Sequence, residues 1–192
     1  MQPGHERIVV PDPSLVLLVG ASGSGKTTFA ARHFAPTEVL ASDTFRAMVA
    51  DDERDMAATA DAFELLHAVA AKRLAGGRLT VVDATNVQPE ARHPLIALAH
   101  RHGQMPVAIV FDLPEQLCLE RNAARGGRPV PPRVVRGQHR LLRRSLGQLA
   151  GEGLGQVVVL RTPEEVETVT IARERAGASD TNTTSIDFED LV

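Results

Sequence analysis

The stretch Leu15-Val16-Leu17-Leu18-Val19-Gly20-Ala21-Ser22-Gly23-Ser24-Gly25-Lys26-Thr27 decides the fold. Its first five residues are a continuous apolar run, the pattern of a strand buried on both faces of a sheet. The next eight match the phosphate-binding pattern G-x-x-x-x-G-K-[ST] at every fixed position. Thr28 to Phe34 can open a helix, with Phe29 and His33 one turn apart. Glycines let the backbone curl around an anion, and successive N–H groups with the positive end of the helix hold phosphate oxygens. Lys26 is then expected to reach the β- and γ-phosphates, and Thr27 to offer a hydroxyl to Mg²⁺. Gly20, Ser22, Gly23, Ser24, Gly25, Lys26, Thr27 and Thr28 are the candidate binding residues for ATP or another nucleoside triphosphate. A glycine-rich turn matching by chance would not bring a strand before it, a helix after it and the Lys-Thr pair.

Downstream, strand and helix patterns alternate. Residues 38–41 predict a second strand, left by Ser42-Asp43-Thr44-Phe45-Arg46, and 51–55 form an acidic loop. A helix is expected from about 56 to 75, with Phe63, Leu66, Ala70 and Leu74 on one stripe and Gly76-Gly77 ending it. Residues 79–82 predict a third strand, and Asp83-Ala84-Thr85-Asn86 follows directly. Pro89 suits the first turn of a helix closed by Gly103. A fourth strand at 107–111 leads through Pro114 to a helix ending near 124, and 125–132 read as a mobile connector. A basic helix over about 133–149, a strand at 157–160 and a helix opened by Pro163 complete the pattern, while residues 1–14 read as an irregular lead-in. The alternation argues for βαβ units. The expected class is α/β: a P-loop NTPase or kinase-like three-layer fold, with about five parallel strands flanked by helices and a helical, arginine-rich lid over about 114–150.

The 192-residue length favours one domain, expected over 1–176, with 177–192 as an acidic tail or the start of an interdomain linker. With six Phe and neither Trp nor Tyr, the core must be built from Leu, Val, Ile and Ala. The lone Cys118 forbids an internal disulfide and is expected to pack as a small apolar group. No apolar run reaches the length of a membrane span and no signal-peptide pattern opens the chain, so no membrane partner and a cytoplasmic location are expected. The net charge of −3 conceals an asymmetry: arginines crowd 121–144 while acidic residues gather at 51–53 and in the tail.

Ligands of open α/β sheets sit outside the carboxyl ends of the strands, where Asp43 and Asp83 fall. Asp83 suits a metal-supporting role, through water, with a turn or capping role as the alternative. Asn86 suits a helix cap. Ala84 follows Asp83 where many motor ATPases place Glu, and no Asn-Lys-x-Asp motif specifies guanine. Phosphoryl transfer to an alcohol needs a carboxylate beside the triphosphate cradle to take the hydroxyl proton, which Asp43 can supply. Arg46, three residues on, suits an acceptor that carries a phosphate; the alternative is a cap at Ser42 or Asp43 with Arg46 solvated. Arg121 and Arg125, spaced i, i+4, with Arg128, Arg133, Arg136, Arg140, Arg143 and Arg144 behind them, suit a cationic lid, because guanidinium forks grip phosphate oxygens. For Arg143 and Arg144 a solvated face is expected.

These residues resemble the kinase module of bacterial polynucleotide kinase-phosphatase, an RNA end-healing and repair family. The resemblance covers about 14–172. It runs through the phosphate loop, Pro36-Thr37-Glu38-Val39, Ser42-Asp43 with Arg46, Asp51-Asp52-Glu53, Thr80-Val81-Val82-Asp83-Ala84-Thr85-Asn86 and Leu119-Glu120-Arg121-Asn122, in that order. It implies transfer of the γ-phosphate of ATP, or another triphosphate, to the 5′-hydroxyl end of RNA or DNA. Lys26 and Thr27 would hold triphosphate and Mg²⁺, Asp43 would be the general base, Arg46 would contact the acceptor phosphate, and Arg121 and Arg125 would clamp the donor. Family members continue into phosphatase and ligase-like modules, so this chain is expected to be an isolated kinase module or part of a longer parent; a homodimer is compatible with the resemblance. Thr27 stands where serine is common, and Gly126-Gly127 with the prolines after them depart from the family lid. Two other readings stay open: a kinase of a small alcohol, such as a sugar acid or an antibiotic, and a non-catalytic nucleotide-sensing module.

Overall fold

The computed structural model describes residues 7–126 and 129–175. The chain runs through β1 (Arg7–Asp12), β2 (Ser14–Gly20), α1 (Lys26–His33), β3 (Val39–Ala41), α2 (Ser42–Ala50), α3 (Thr59–Ala75), β4 (Thr80–Asp83) and α4 (Pro89–Arg101). It continues through β5 (Met105–Phe111), α5 (Glu115–Ala123), α6 (Pro132–Ser145), a 3-10 turn at Leu149–Gly151, β6 (Gln156–Leu160), α7 (Pro163–Thr168) and β7 (Thr170–Arg175). The expected 177–192 tail and Arg128 lie outside the described residues.

The apolar run opening at Ser14 becomes the middle strand of a five-stranded sheet ordered β3-β4-β2-β5-β6, in which every pairing is parallel. All seven residues of β2 are buried, as a strand covered on both faces requires. One face of the sheet packs Val16, Leu18, Val107 and Ile109 against Phe29 and Phe34 of the α1 region, Cys118 of α5 and Val166 of α7. The other packs Leu15, Leu17, Val19 and Val110 against Leu66, Ala70 and Leu74 of α3, Leu95 and Ala99 of α4, and Leu142 of α6. The expected α3 stripe is therefore real at Leu66, Ala70 and Leu74, which are buried, whereas Phe63 is only half-buried. Cys118 is a buried free thiol, packed as the small apolar group expected.

Two expectations are corrected. Residues 7–12 are not an irregular lead-in but a strand, paired in parallel with β7 as a separate two-stranded sheet. Ile8 and Val10 alternate inward, and Pro11 is tolerated because the ribbon leaves an edge free. The basic helix also stops at Ser145 rather than running to Leu149.

The second face is closed by a charge. Arg92 of α4 is fully buried, its Nε donates to Glu152 Oε2 at 2.7 Å, Nη2 pairs with Glu152 Oε1, and Nη1 donates to Asn86 O at 2.7 Å. Removing one member of such a pair strands the other charge without solvent. Glu152→Ala should therefore cost about 3–5 kcal/mol, read from urea unfolding midpoints, and Arg92→Met in the same chain should recover much of that loss. An exposed-pair cost below about 1 kcal/mol would contradict the buried geometry.

Candidate functional site

Strand register brings the site residues together. Gly20 at the end of β2 pairs with Phe111 of β5, Leu18 pairs with Asp83, and Asp83 pairs with Ala41 at the end of β3. The phosphate loop, Asp83 and the start of α2 with Asp43 therefore occupy three neighbouring strand ends. Gly20 N donates to Thr85 O at 2.9 Å, which ties the loop's first residue to the segment after β4.

The loop's glycines answer to contacts. Gly23 has φ 82°, and a Cβ there would stand 2.2 Å from Cys118 O, because α5 crosses directly over the loop. Gly25, at φ 94°, is the residue from which α1 starts, with Phe29 N donating to Gly25 O at 2.9 Å. Both positions lie in the left-handed region that L side chains avoid. The first turn of α1 carries no acidic residue to compete with an anion at its positive end.

Lys26 is buried, and its Nζ donates to Gly20 O at 2.9 Å, Ala21 O at 2.8 Å and Ser24 Oγ at 3.3 Å. Burial pulls its pKa down to about 8, against the opposing pull of Asp83, Cys118 and Asp43. Asp83 is also buried; loss of solvent pushes its carboxyl up, countered by a hydrogen bond from Thr27 and by the Lys26 charge. Thr27 and Asp83 thus form one oxygen pair at the loop. Among the described residues no group of three His, Cys, Asp or Glu forms a metal cage. A hydroxyl and one carboxylate suit Mg²⁺, which takes one or two protein oxygens and fills the rest of its octahedron with water and phosphate. The donor set fits that ion.

Asp43 and Arg46 open α2. Arg46 is buried; its Nη2 bonds Asp43 Oδ1, and its Nε donates to Glu53 O at 2.7 Å. The Asp43 side chain is 46% exposed, so it faces an approachable surface beside the cradle. Ala41, not Ser42 or Asp43, is the N-cap residue of α2, and neither side chain caps the helix. Asn86 does not cap α4 either, whose N-cap is Gln88; its Nδ2 donates to Leu18 O at 2.9 Å instead, and its Oδ1 is buried without a partner among the described residues.

Arg121 and Arg125 do not share one helix face, because α5 ends at Ala123 and Arg125 lies beyond the cap. Arg121 still reaches the loop, and Arg125 acts on it through its charge. Arg121 Nη1 lies 3.7 Å from the position a Cβ on Gly25 would take, and the Arg125 charge acts on both Lys26 and Asp83. Farther along, Arg133, Arg140 and Arg144 are exposed, and Arg136 pairs with Glu115 at 3.7 Å. Arg143 is not simply solvated: it pairs with the buried Asp112 at 3.0 Å. Burial raises the Asp112 carboxyl, opposed chiefly by Arg143.

One contact had no signal in the sequence. Ser22 N, inside the loop, donates to Gln138 Oε1 of α6 at 2.8 Å across 116 residues of chain.

A family model described as AAA domain matches residues 15–149. Among solved structures, a chain of "the Pnkp1/Rnl/Hen1 RNA repair complex" superposes with a TM-score of 0.62 at 25% identity, covering 72% of this chain and 47% of that one. This chain therefore spans about half the length of that protein. AvrRxo1-ORF1:-ORF2 with ATP superposes with a TM-score of 0.63 at 17% identity, covering 80% of this chain and 55% of that one. A gluconokinase from Sinorhizobium meliloti 1021 superposes with a TM-score of 0.52 at 19% identity, covering 82% and 87%. The architecture is the P-loop kinase-like one, and no helix among the described residues is long and apolar enough to cross a membrane.

The Lys26 environment has a sign that can be measured. A base whose pKa falls on folding leaves the unfolded chain holding more protons between about 8 and 10.5, so folding stability rises with pH across that window. Relative to Lys26→Met, the unliganded wild type should gain roughly 2–3 kcal/mol between pH 7 and 10, followed by urea midpoints. A difference that stays flat with pH would mean the ammonium is not desolvated.

Proposed function

Since the chain belongs to the AAA domain family and carries a P-loop kinase-like site, we propose that it is a polynucleotide 5′-hydroxyl kinase. It transfers the γ-phosphate of ATP or another triphosphate to the 5′-OH end of RNA or DNA, in end healing. The observation that carries the reading is the placement of Asp43: an accessible carboxylate two strands from a buried triphosphate cradle, oriented by Arg46. In this reading residues 1–176 form the kinase domain, and about 114–150, including α5 and α6, form its lid.

Each residue's part follows from its surroundings. The loop N–H groups and Lys26 would hold the β- and γ-phosphates; Thr27 and Asp83, the latter through water, would hold Mg²⁺, which would supply charge neutralisation on the phosphate oxygens. Asp43 accepts the proton of the attacking hydroxyl as the new P–O bond forms and the bond to the nucleoside diphosphate breaks. Arg121 and Arg125 stabilise charge on the transferring group from the lid side. Arg46 has donors beyond those it spends on Asp43 and Glu53, and these serve a phosphate on the acceptor. The 25%-identical relative from an RNA repair complex supports a polynucleotide acceptor, as do the exposed arginines of α6. Phosphatase and ligase modules of a longer parent chain, and a second copy of this chain, are the partners this reading admits.

One observation favours a second reading. Because Arg46 is buried and already bonded to Asp43 and Glu53, in this second reading it acts only by orienting the base, which would suit a small alcohol that carries no phosphate. Two substitutions separate the readings. Asp43→Asn should lower kcat by about 10²–10⁴-fold while triphosphate binding persists; loss of binding would make Asp43 structural. Arg46→Ala should impair labelling of a 5′-OH oligonucleotide by ATP more than labelling of small alcohols. Wild-type activity on sugar acids with none on RNA or DNA ends would replace the polynucleotide reading with the second.

A further inference from the structure

The peptide unit between Ala21 and Ser22 is held from both ends. Its carbonyl accepts from Lys26 Nζ at 2.8 Å, and its N–H donates to Gln138 Oε1 at 2.8 Å. Since the partner is a backbone N–H, the oxygen of the Gln138 amide must be the end that faces it. A peptide unit is planar and turns as one piece. Fixing the direction of its N–H therefore fixes the direction of its carbonyl, and with it one of three acceptors that hold the Lys26 ammonium.

Gln138 does not float. It stands on α6, which is seated at the carboxyl end of the sheet by three contacts that follow Gln138 along the helix. His139 Nε2 meets Leu113 O at 3.1 Å, Arg143 pairs with Asp112 at 3.0 Å, and Ser145 Oγ donates to Val87 O at 3.1 Å. Val135 and Leu142, one turn to either side of Gln138, are fully buried. The seat of α6 thus decides where the Gln138 amide lies, and the amide decides how the 21–22 peptide is turned. The helix and the lysine are joined through one peptide group.

Resting on the reading of the loop as the donor-phosphate site, we propose that Gln138 is a positioning residue for Lys26, coupling the seat of α6 to the loop's grip on the terminal phosphate. Without the acceptor at 138, the Ser22 N–H must find another partner. The peptide is then free to turn, and Lys26 loses a fixed carbonyl. Because a loop lysine reaches both the β- and γ-phosphates, a nucleotide that carries both loses more than one that ends at the β-phosphate.

Equilibrium binding of Mg-ATP and Mg-ADP tests this without any phosphate acceptor, so a failure of the polynucleotide reading would leave the result untouched. Gln138→Leu keeps much of the side-chain volume and removes the acceptor; Gln138→Ala serves if the leucine chain does not fold. The expected result is a preference for ATP over ADP reduced about tenfold, within the range seen when an outer partner of a working group is lost, with ADP affinity falling less than ATP affinity. In a Lys26→Ala background the same substitution should reduce the preference no further, since coupled residues fail to add. Equal losses for ATP and ADP would make Gln138 a prop for the loop as a whole. An undiminished effect in the Lys26→Ala background would mean that it acts apart from Lys26. Either outcome, or an unchanged preference, overturns the proposal.

Discussion

Everything at the carboxyl end of the sheet turns on a cation placed where water is scarce. Lys26 is buried, and what replaces its hydration is backbone: the carbonyls of Gly20 and Ala21, with Ser24 Oγ beside them. Two neutral carbonyls and a hydroxyl compensate an ammonium only in part, and its lowered pKa measures the shortfall. Phosphate oxygens would complete the compensation. The loop is therefore a site that favours polyanions because its own lysine is under-solvated, and Asp83, buried one strand away, shares the same field.

The rest of the architecture holds that lysine's surroundings still. Strand β2 is buried from end to end, so the loop departs from a fixed point. From above, α5 closes on Gly23 so tightly that no side chain fits between them. From behind, the fully buried Arg92 ties Glu152 to Asn86 O, while Asn86 Nδ2 bonds Leu18 O two residues before the loop. Such a network is costly to bury and rigid once satisfied. Its placement directly behind the loop suggests why charge was retained there instead of an apolar plug. Among the described residues, Asn86 Oδ1 is the side-chain polar atom of this network left without a partner.

Arginine serves two different ends along α5 and α6. Arg121 lies within α5 with its guanidinium beside Gly25, while Arg125 lies past the helix cap and acts on Lys26 and Asp83 through its charge, so no shared helical face brings them together. Arg136 and Arg143 instead pair with Glu115 and Asp112 and seat α6 on the β5–α5 junction. What reads as one cationic run in sequence is, among the described residues, a pair whose charge acts on the loop, a pair that anchors a helix, and an exposed remainder.

The local signals in the sequence determined a great deal. An unbroken apolar run followed by the fixed-spacing glycines, lysine and threonine specified a buried strand, a phosphate loop and a helix, because each depends on neighbours within a few residues. Strand ends carrying Asp43 and Asp83 were legible for the same reason, since βαβ order places every such end on one side of a sheet. Only the tertiary structure decided the rest. The β1–β7 pairing joins residues far apart in the chain, and its short alternation is interrupted by proline, so no local pattern announced it. The occupation of Arg46 by Asp43 and Glu53, the turn of Asn86 toward Leu18, the capture of Arg143 by Asp112 and the hold of Gln138 on Ser22 are likewise set by packing. A side chain's hydrogen bond is chosen by whatever burial brings within about 3 Å, and that choice is not written in the residues on either side of it.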